Sequence, residues 1–178
     1  VRNDGGVHGS QYVRLVTNNW YTDFNVFSEE LINHGIDFRN YLGKYFRISF
    51  YWRKTVDLAL SGKGVRVANH NTAGEGHTAL VSVPLPESKS AGVWHREVKT
   101  FKVPQPTNWD LSDMRIVLWS AGPDPDAEVA VDYDGIMLEG PFDTDPGTAN
   151  LPAYEPSETS VGSTTAVFRS TLDRKSVV

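Results

Sequence analysis

The segment Met114–Leu138, MRIVLWSAGPDPDAEVAVDYDGIML, decides the fold class of this chain. Residues 115–120 form a short apolar run rich in β-branched and aromatic side chains, which favours a strand. Residues 121–126 contain one glycine and two prolines and predict a surface turn, because glycine frees φ and proline lacks a backbone donor. Residues 129–134 then alternate valine or tyrosine with alanine or aspartate, the period of a half-buried strand. The segment therefore predicts two strands joined by a loop, as in a sheet protein.

Composition excludes several classes of function. The 178 residues suffice for one domain with a core, and five Trp, seven Tyr and eight Phe favour a folded chain. The net charge is −5 without a run of like charges, so we expect no nucleic-acid partner. The chain has no cysteine, which excludes disulfides, thiolate metal sites and cysteine nucleophiles. No apolar run approaches the roughly 20 residues that span a bilayer, so we expect no membrane insertion.

The strongest alternation lies in residues 44–53, KYFRISFYWR. It predicts a central strand with Phe46, Ile48, Phe50 and Trp52 towards the core and a polar, aromatic opposite face. Other strands are predicted over residues 11–16, 56–60, 65–69, 78–83 and 94–103. Residues 24–33 fit either a helix capped by Ser28 or an edge strand, of which we favour the strand. About eight short strands without a long helix predict an all-β, antiparallel jelly-roll β-sandwich.

Composition also divides the chain. Residues 1–9 are expected to be a leader or loop, and residues 10–142 the jelly-roll domain. Residues 143–178 are rich in Pro, Ser and Thr and predict a linker and C-terminal tail. Because the chain begins at Val1, we expect a processed product or a piece of a longer protein.

The order of several motifs resembles carbohydrate-binding modules of the family 4 and 9 type, which are galactose-binding-domain-like jelly rolls. The resemblance is carried by Gly9–Leu15, Leu42–Lys44, Phe46–Trp52, Trp94, Thr100–Pro104 and Val131–Asp132. The ending Asp134–Phe142, DGIMLEGPF, followed by Tyr154–Pro156, is similar to the variant found in bacteriophage structural and tail-fibre proteins. No Asn-x-x-Phe-Glu motif, with which the first strand of such modules usually begins, precedes Gly9.

The resemblance implies a bacteriophage virion protein, such as a tail fibre, spike or capsid-surface appendage. It implies that the chain binds host-surface carbohydrate, contacts other virion subunits and forms a homo-oligomer. It also implies a location on the virion surface or outside the cell. Two alternatives stay open: a carbohydrate-binding module of a secreted glycoside hydrolase, and a structural domain without a ligand.

Glycan recognition needs flat aromatic faces with polar groups beside them. By strand parity, Tyr51 and Trp119 are expected to lie side by side on an exposed sheet face, together with Arg47 and Arg53. The alternative is that Trp119 is buried beneath a loop. A second candidate pair is Trp20 with Tyr21. Trp94 and Trp52 are assigned to the core.

The resemblance implies a structural calcium ion at Asp132, which matches the late acidic ligand of such modules. The other aspartates in turns are expected to be solvated, and no calcium-loop motif is present. No nucleophile elbow, P-loop or evident pair of catalytic carboxylates appears, so we expect no enzyme and no other cofactor.

Overall fold

A computed structural model describes residues 6–7, 12–17, 22–26, 28–33, 35–57, 63–69, 79–105, 110–120, 129–151 and 166–170. Its strands are β1 (Val13–Thr17), β2 (Thr22–Val26), β3 (Tyr45–Lys54), β4 (Lys63–Asn69), β5 (Ala79–Pro84), β6 (His95–Lys102), β7 (Met114–Ser120), β8 (Val129–Phe142) and β9 (Ala166–Ser170). An α-helix, α1, spans Ser28–Asn33, and a 3-10 helix spans Phe38–Asn40.

The strands form two sheets. Sheet I has the order β1-β8-β3-β6, with β9 also paired to β8, and sheet II has the order β2-β7-β4-β5. The β8–β9 pair is parallel, and the other strand pairs of the described residues are antiparallel. One apolar cluster joins side chains from both sheets. The predicted all-β sandwich is confirmed.

Strand β3 shows how sequence parity builds the core. Phe46, Ile48, Phe50 and Trp52 are all 0% exposed, as their alternation predicts. The Phe46 ring stacks on Phe101 of β6 with ring centroids 5.7 Å apart. The inner face of sheet I is therefore apolar, and the residues of intervening parity lie on its outer face.

Strand β8 differs from the half-buried strand that was predicted. Every residue from Ala130 to Gly140 is buried, and β8 has β3 on one side and β1 and then β9 on the other. The Tyr133 hydroxyl donates to the Gly64 carbonyl of β4 at 3.3 Å and so joins the two sheets. β7 and β8 lie in different sheets, so the chain between them crosses the sandwich.

The strand predicted over residues 24–33 is wrong in its second half. The strand ends at Val26, and Ser28–Asn33 form α1. Gly35, at φ 80°, donates its N–H to the Ile32 carbonyl at 2.9 Å. A left-handed glycine after the last turn is a common way to end a helix, and it is the sequence signal that the strand prediction overlooked.

The strand predicted over residues 56–60 is also wrong where it can be compared. Val56 and Asp57 form a bend, and residues 58–60 lie outside the described residues.

Part of the predicted tail belongs to the sandwich. Ala166–Ser170 form β9 along Ile136–Gly140 of β8, beyond the end of β1. Residues 143–151 also contact sheet I: Asp143 pairs with Lys44 at 2.5 Å, and Asp145 accepts a hydrogen bond from Thr100 at 3.4 Å. Sheet I therefore extends beyond the domain boundary predicted at residue 142.

Candidate functional site

The outer face of sheet I carries charged and aromatic side chains at one end. The register places Arg53 of β3 opposite Asp132 of β8, and Asp132 opposite Arg14 of β1. Two residues before Arg53 in β3, Tyr51 lies between Asp134 of β8 and Arg96 of β6. We call this set, with two further aromatic residues, the outer-face cluster: Tyr12, Arg14, Tyr51, Arg53, Trp94, Arg96, Asp132 and Asp134.

Asp132 is at the centre of the cluster and is 0% exposed. Its Oδ1 accepts a hydrogen bond from Arg14 Nε at 2.6 Å, and its Oδ2 accepts one from Arg14 Nη2 at 2.9 Å. The same Oδ2 accepts from Arg53 Nε at 3.0 Å and Arg53 Nη2 at 2.7 Å. The carboxylate thus ties together three adjacent strands of sheet I.

This geometry corrects the calcium prediction for Asp132. Both carboxylate oxygens already accept hydrogen bonds from guanidinium groups, and two positive charges beside them repel a cation. In the described part of the chain, no three His, Cys, Asp or Glu side chains come together in a way that could hold a metal ion.

Two aromatic rings flank Arg53. Its Cζ lies 4.7 Å from the centroid of the Trp94 ring and 5.3 Å from that of Tyr12. The two rings meet edge to face with centroids 5.7 Å apart. Trp94, assigned to the core from the sequence, is instead partly exposed on the outer face. The assignment failed because strand parity places Trp94, just before β6, on the same face as Arg96. The core residue Phe101 lies on the opposite face.

A second contact of this kind lies beside the first. Arg96 Cζ lies 5.3 Å from the centroid of Tyr51, and both side chains are partly exposed. Arg96 Nη2 also donates to Ser49 Oγ at 3.3 Å. Attraction between a cation and the face of a ring restrains each guanidinium in place.

The acidic and basic groups of the cluster lie at different depths. Asp132 is 0% and Asp134 6% exposed, so neither presents much carboxylate to solvent. The side chains of Arg14 and Arg53 are 23% and 22% exposed. The expectation of a solvated carboxylate is therefore wrong for Asp134, and the accessible groups of the cluster are guanidinium groups and rings.

Arg47, another predicted glycan contact, has a different environment at the far end of β3. It is 5% exposed and pairs with Glu139, and its Nη1 donates to the Gly147 and Ala149 carbonyls at 3.4 and 3.2 Å. The predicted exposure of Arg47 is wrong, because the segment after β8 covers this end of the sheet.

The predicted pairing of Tyr51 with Trp119 is also wrong. Tyr51 lies in sheet I, whereas Trp119 lies in β7 of sheet II, opposite Asp23 and Gly64. The side chain of Trp119 lies outside the described residues, as do Trp20 and Tyr21, so their glycan-binding roles stay predictions.

Sequence reasoning missed Tyr12, Arg14, Trp94 and Arg96 as members of the site. Strand parity in the sequence indicates the outward position of three of them. Val13 and Leu15 were placed in the core, which puts Tyr12 and Arg14 on the opposite face, and the same parity argument places Arg96 outside.

No protein-family model and no curated protein matches the sequence. Among solved structures, the tripod from the baseplate of bacteriophage Tuc2009 is similar, with a TM-score of 0.50 and 15% identity over 85% of this chain and 51% of that one. A family 16 carbohydrate-binding module has a TM-score of 0.46 and 15% identity over 77% and 82% of the two chains. The xylan-binding domain CBM22-2 of Paenibacillus barcinonensis has a TM-score of 0.44 and 13% identity over 77% and 83%.

At this level of identity a match concerns the fold alone. The tripod supports the predicted jelly-roll fold, although this chain spans only about half of the tripod chain. No helix of the described residues is long and apolar enough to cross a membrane.

Proposed function

We propose that this chain is a non-catalytic, glycan-recognising domain of a bacteriophage virion appendage, such as a tail fibre, spike or capsid-surface structure. The observation that carries the proposal is the outer-face cluster, in which partly exposed rings lie beside partly exposed guanidinium groups. Trp94 and Tyr51 supply flat surfaces for the C–H face of a sugar ring, and Arg53 and Arg96 supply donors for its oxygens.

The virion part of the proposal is supported by the fold shared with a phage baseplate tripod. We expect one such site alone to bind weakly, and an appendage with repeated copies gains avidity from several such contacts. The proposal therefore includes a homo-oligomer on the virion surface, with host-surface carbohydrate as its external partner.

A glycan array tests the recognition step. The full chain is biotinylated, assembled on streptavidin to supply multivalency, and compared with Trp94→Ala. Tyr45→Ala is the matched control, because the Tyr45 ring also packs on a cation, with Lys102 Nζ at 5.2 Å, but lies at the other end of β3. Selective binding that is lost in folded Trp94→Ala and kept in Tyr45→Ala is the expected result. No binding by folded wild type would favour the ligand-free structural domain.

The oligomeric state tests the virion step. Light scattering after size exclusion is expected to show a closed oligomer, with a trimer the clearest match to a fibre. A monomer that is retained on insoluble cellulose or xylan would contradict the virion assignment and favour a module of a secreted glycoside hydrolase.

A further inference from the structure

The charge of the outer-face cluster is layered. Its three arginines and two aspartates give a formal net charge of +1. Asp132 and Asp134 are 0% and 6% exposed, whereas the side chains of Arg14 and Arg53 are 23% and 22% exposed. A ligand that reaches this face from solvent therefore meets guanidinium groups before it meets carboxylates.

Arg53 and Arg96 have donor groups that the described residues do not use. Arg53 gives Nε and Nη2 to Asp132, and no hydrogen bond from its Nη1 occurs among the described residues. Arg96 gives Nη2 to Ser49, its Nε is buried, and no hydrogen bond from its Nη1 occurs within that part of the chain. Each guanidinium thus keeps N–H groups for a ligand.

The two guanidinium groups are held in place before any ligand arrives. Arg53 is fixed by Asp132 and by the rings of Trp94 and Tyr12, and Arg96 rests on Tyr51. A restrained guanidinium loses little conformational freedom on binding, and its planar fork matches the two oxygens of a carboxylate or phosphate.

We infer that the outer-face cluster takes an acidic glycan, one whose sugar carries a carboxylate or phosphate group that Arg53 and Arg96 bind beside the rings of Trp94 and Tyr51. This inference rests on the proposed function and narrows its ligand class. A neutral glycan would use the rings but would gain little from the excess positive charge.

The first test measures binding of the full chain to a glycan array that contains uronic-acid, phosphorylated and neutral members. Binding is measured in 0.1 M and in 1 M NaCl. Raising the salt shortens the screening length from about 10 Å to about 3 Å, so charge-dependent binding weakens. The expected result is binding to acidic members that falls in 1 M NaCl, and the uronic and phosphorylated arms identify which acid is bound. Binding confined to neutral glycans would overturn the inference and leave the proposed function standing, and no binding at all would overturn both.

The second test separates ligand binding from a purely structural role. Among the described residues, Arg96 contacts Ser49 and Tyr51 and forms no ion pair with a buried carboxylate. The variant Arg96→Gln is therefore expected to fold. Binding of the acidic glycan should weaken about tenfold or more, the effect of losing a charge-assisted hydrogen bond. Arg53→Gln is the second variant, and circular dichroism and thermal unfolding verify that each is folded.

Arg39→Gln is the matched control. It changes the net charge equally, but Arg39 lies in the 3-10 helix and pairs with Asp37. The control is expected to bind like wild type. If folded Arg96→Gln and folded Arg53→Gln both bind the acidic glycan as tightly as Arg39→Gln does, the cluster does not bind the acidic group of the glycan. The inference is then wrong.

Discussion

Arg47 of β3 and Glu139 of β8 form a two-point ion pair on the outer face of sheet I. Nε lies 2.9 Å from Oε2 and Nη2 lies 3.1 Å from Oε1, and the two side chains are only 7% and 6% exposed. The Arg47 Nη1 group also reaches the carbonyls of Gly147 and Ala149. One guanidinium therefore fixes the two central strands and the segment that follows them.

Removing one partner of this pair should destabilise the fold strongly. Arg47→Met leaves the Glu139 carboxylate buried without its counter-charge, and such a change typically costs about 3–5 kcal/mol. Urea unfolding followed by tryptophan fluorescence measures the loss. The double variant Arg47→Met/Glu139→Leu is expected to recover most of it, because no charge is then buried alone. A single variant that loses less than about 1 kcal/mol would contradict the buried geometry.

Gly140 is expected to tolerate no side chain. Its φ is 147°, and an added Cβ would lie 2.5 Å from Cδ1 of the fully buried Phe46 ring. Gly140→Ala should lower the free energy of unfolding by about 1–3 kcal/mol through overpacking alone. Gly92→Ala is the control, because Gly92 also has a positive φ, 75°, but its Cβ would meet open space. Equal losses in the two variants would show that Phe46 does not pack on Gly140.

Because the Tyr133 phenol is buried, we expect the folded protein to lose stability at alkaline pH. Burial raises the pKa of its phenol well above the ordinary value, because the ionised form would lose its contact with water. The unfolded chain ionises near pH 10, whereas the folded chain keeps the proton, so stability falls as the pH rises above that value, by about 1.4 kcal/mol per unit.

Tyr133→Phe isolates this effect. At pH 8 the variant should be less stable by about 1 kcal/mol because the hydrogen bond to Gly64 is lost. Between pH 8 and pH 11 the difference in urea midpoints should shrink and then reverse, because phenylalanine does not ionise. A difference that stays constant with pH would contradict a buried phenol.

The contact of Asp143 with Lys44 predicts a measurable titration. The hydrogen bond and charge of Lys44 lower the pKa of the Asp143 carboxyl below its ordinary value of 3.8. In Lys44→Gln, nuclear magnetic resonance of the carboxyl carbon should show this pKa rising towards that value. The Asp110 carboxyl is the internal control, because its pKa is lowered chiefly by hydrogen bonds from Ser112. An unchanged Asp143 titration would mean that the segment after β8 does not dock through this pair.

The sequence predicted both faces of β3 because strand parity is a local property. Phe46 and Trp52 face inwards and Tyr51 and Arg53 face outwards, as the alternation indicates. Parity does not give the depth of a side chain. Arg47 is buried because Glu139 and the segment after β8 cover it, and those partners lie far away in sequence.

The candidate site was predicted only in part, because its composition depends on which strands are neighbours. Tyr51 and Trp119 have equivalent local patterns, yet their strands belong to different sheets. Asp132 matched a calcium ligand in the resemblance, but Arg14, which is 118 residues away along the chain, completes its ion pairs. Such pairings follow from sheet order, which no local period encodes.

Glycan binding at the outer-face cluster is tested most directly by nuclear magnetic resonance of the full chain, labelled with ¹⁵N and titrated with the glycan that binds best on the array. The indole signals are assigned by tryptophan-to-phenylalanine variants. We expect the Trp94 indole and the Arg53 and Arg96 side-chain N–H signals to shift. The Trp52 indole, buried and bonded to Glu97, should stay in place. Saturable shifts confined to the strands of sheet II, with Trp94 unmoved, would contradict recognition at the cluster.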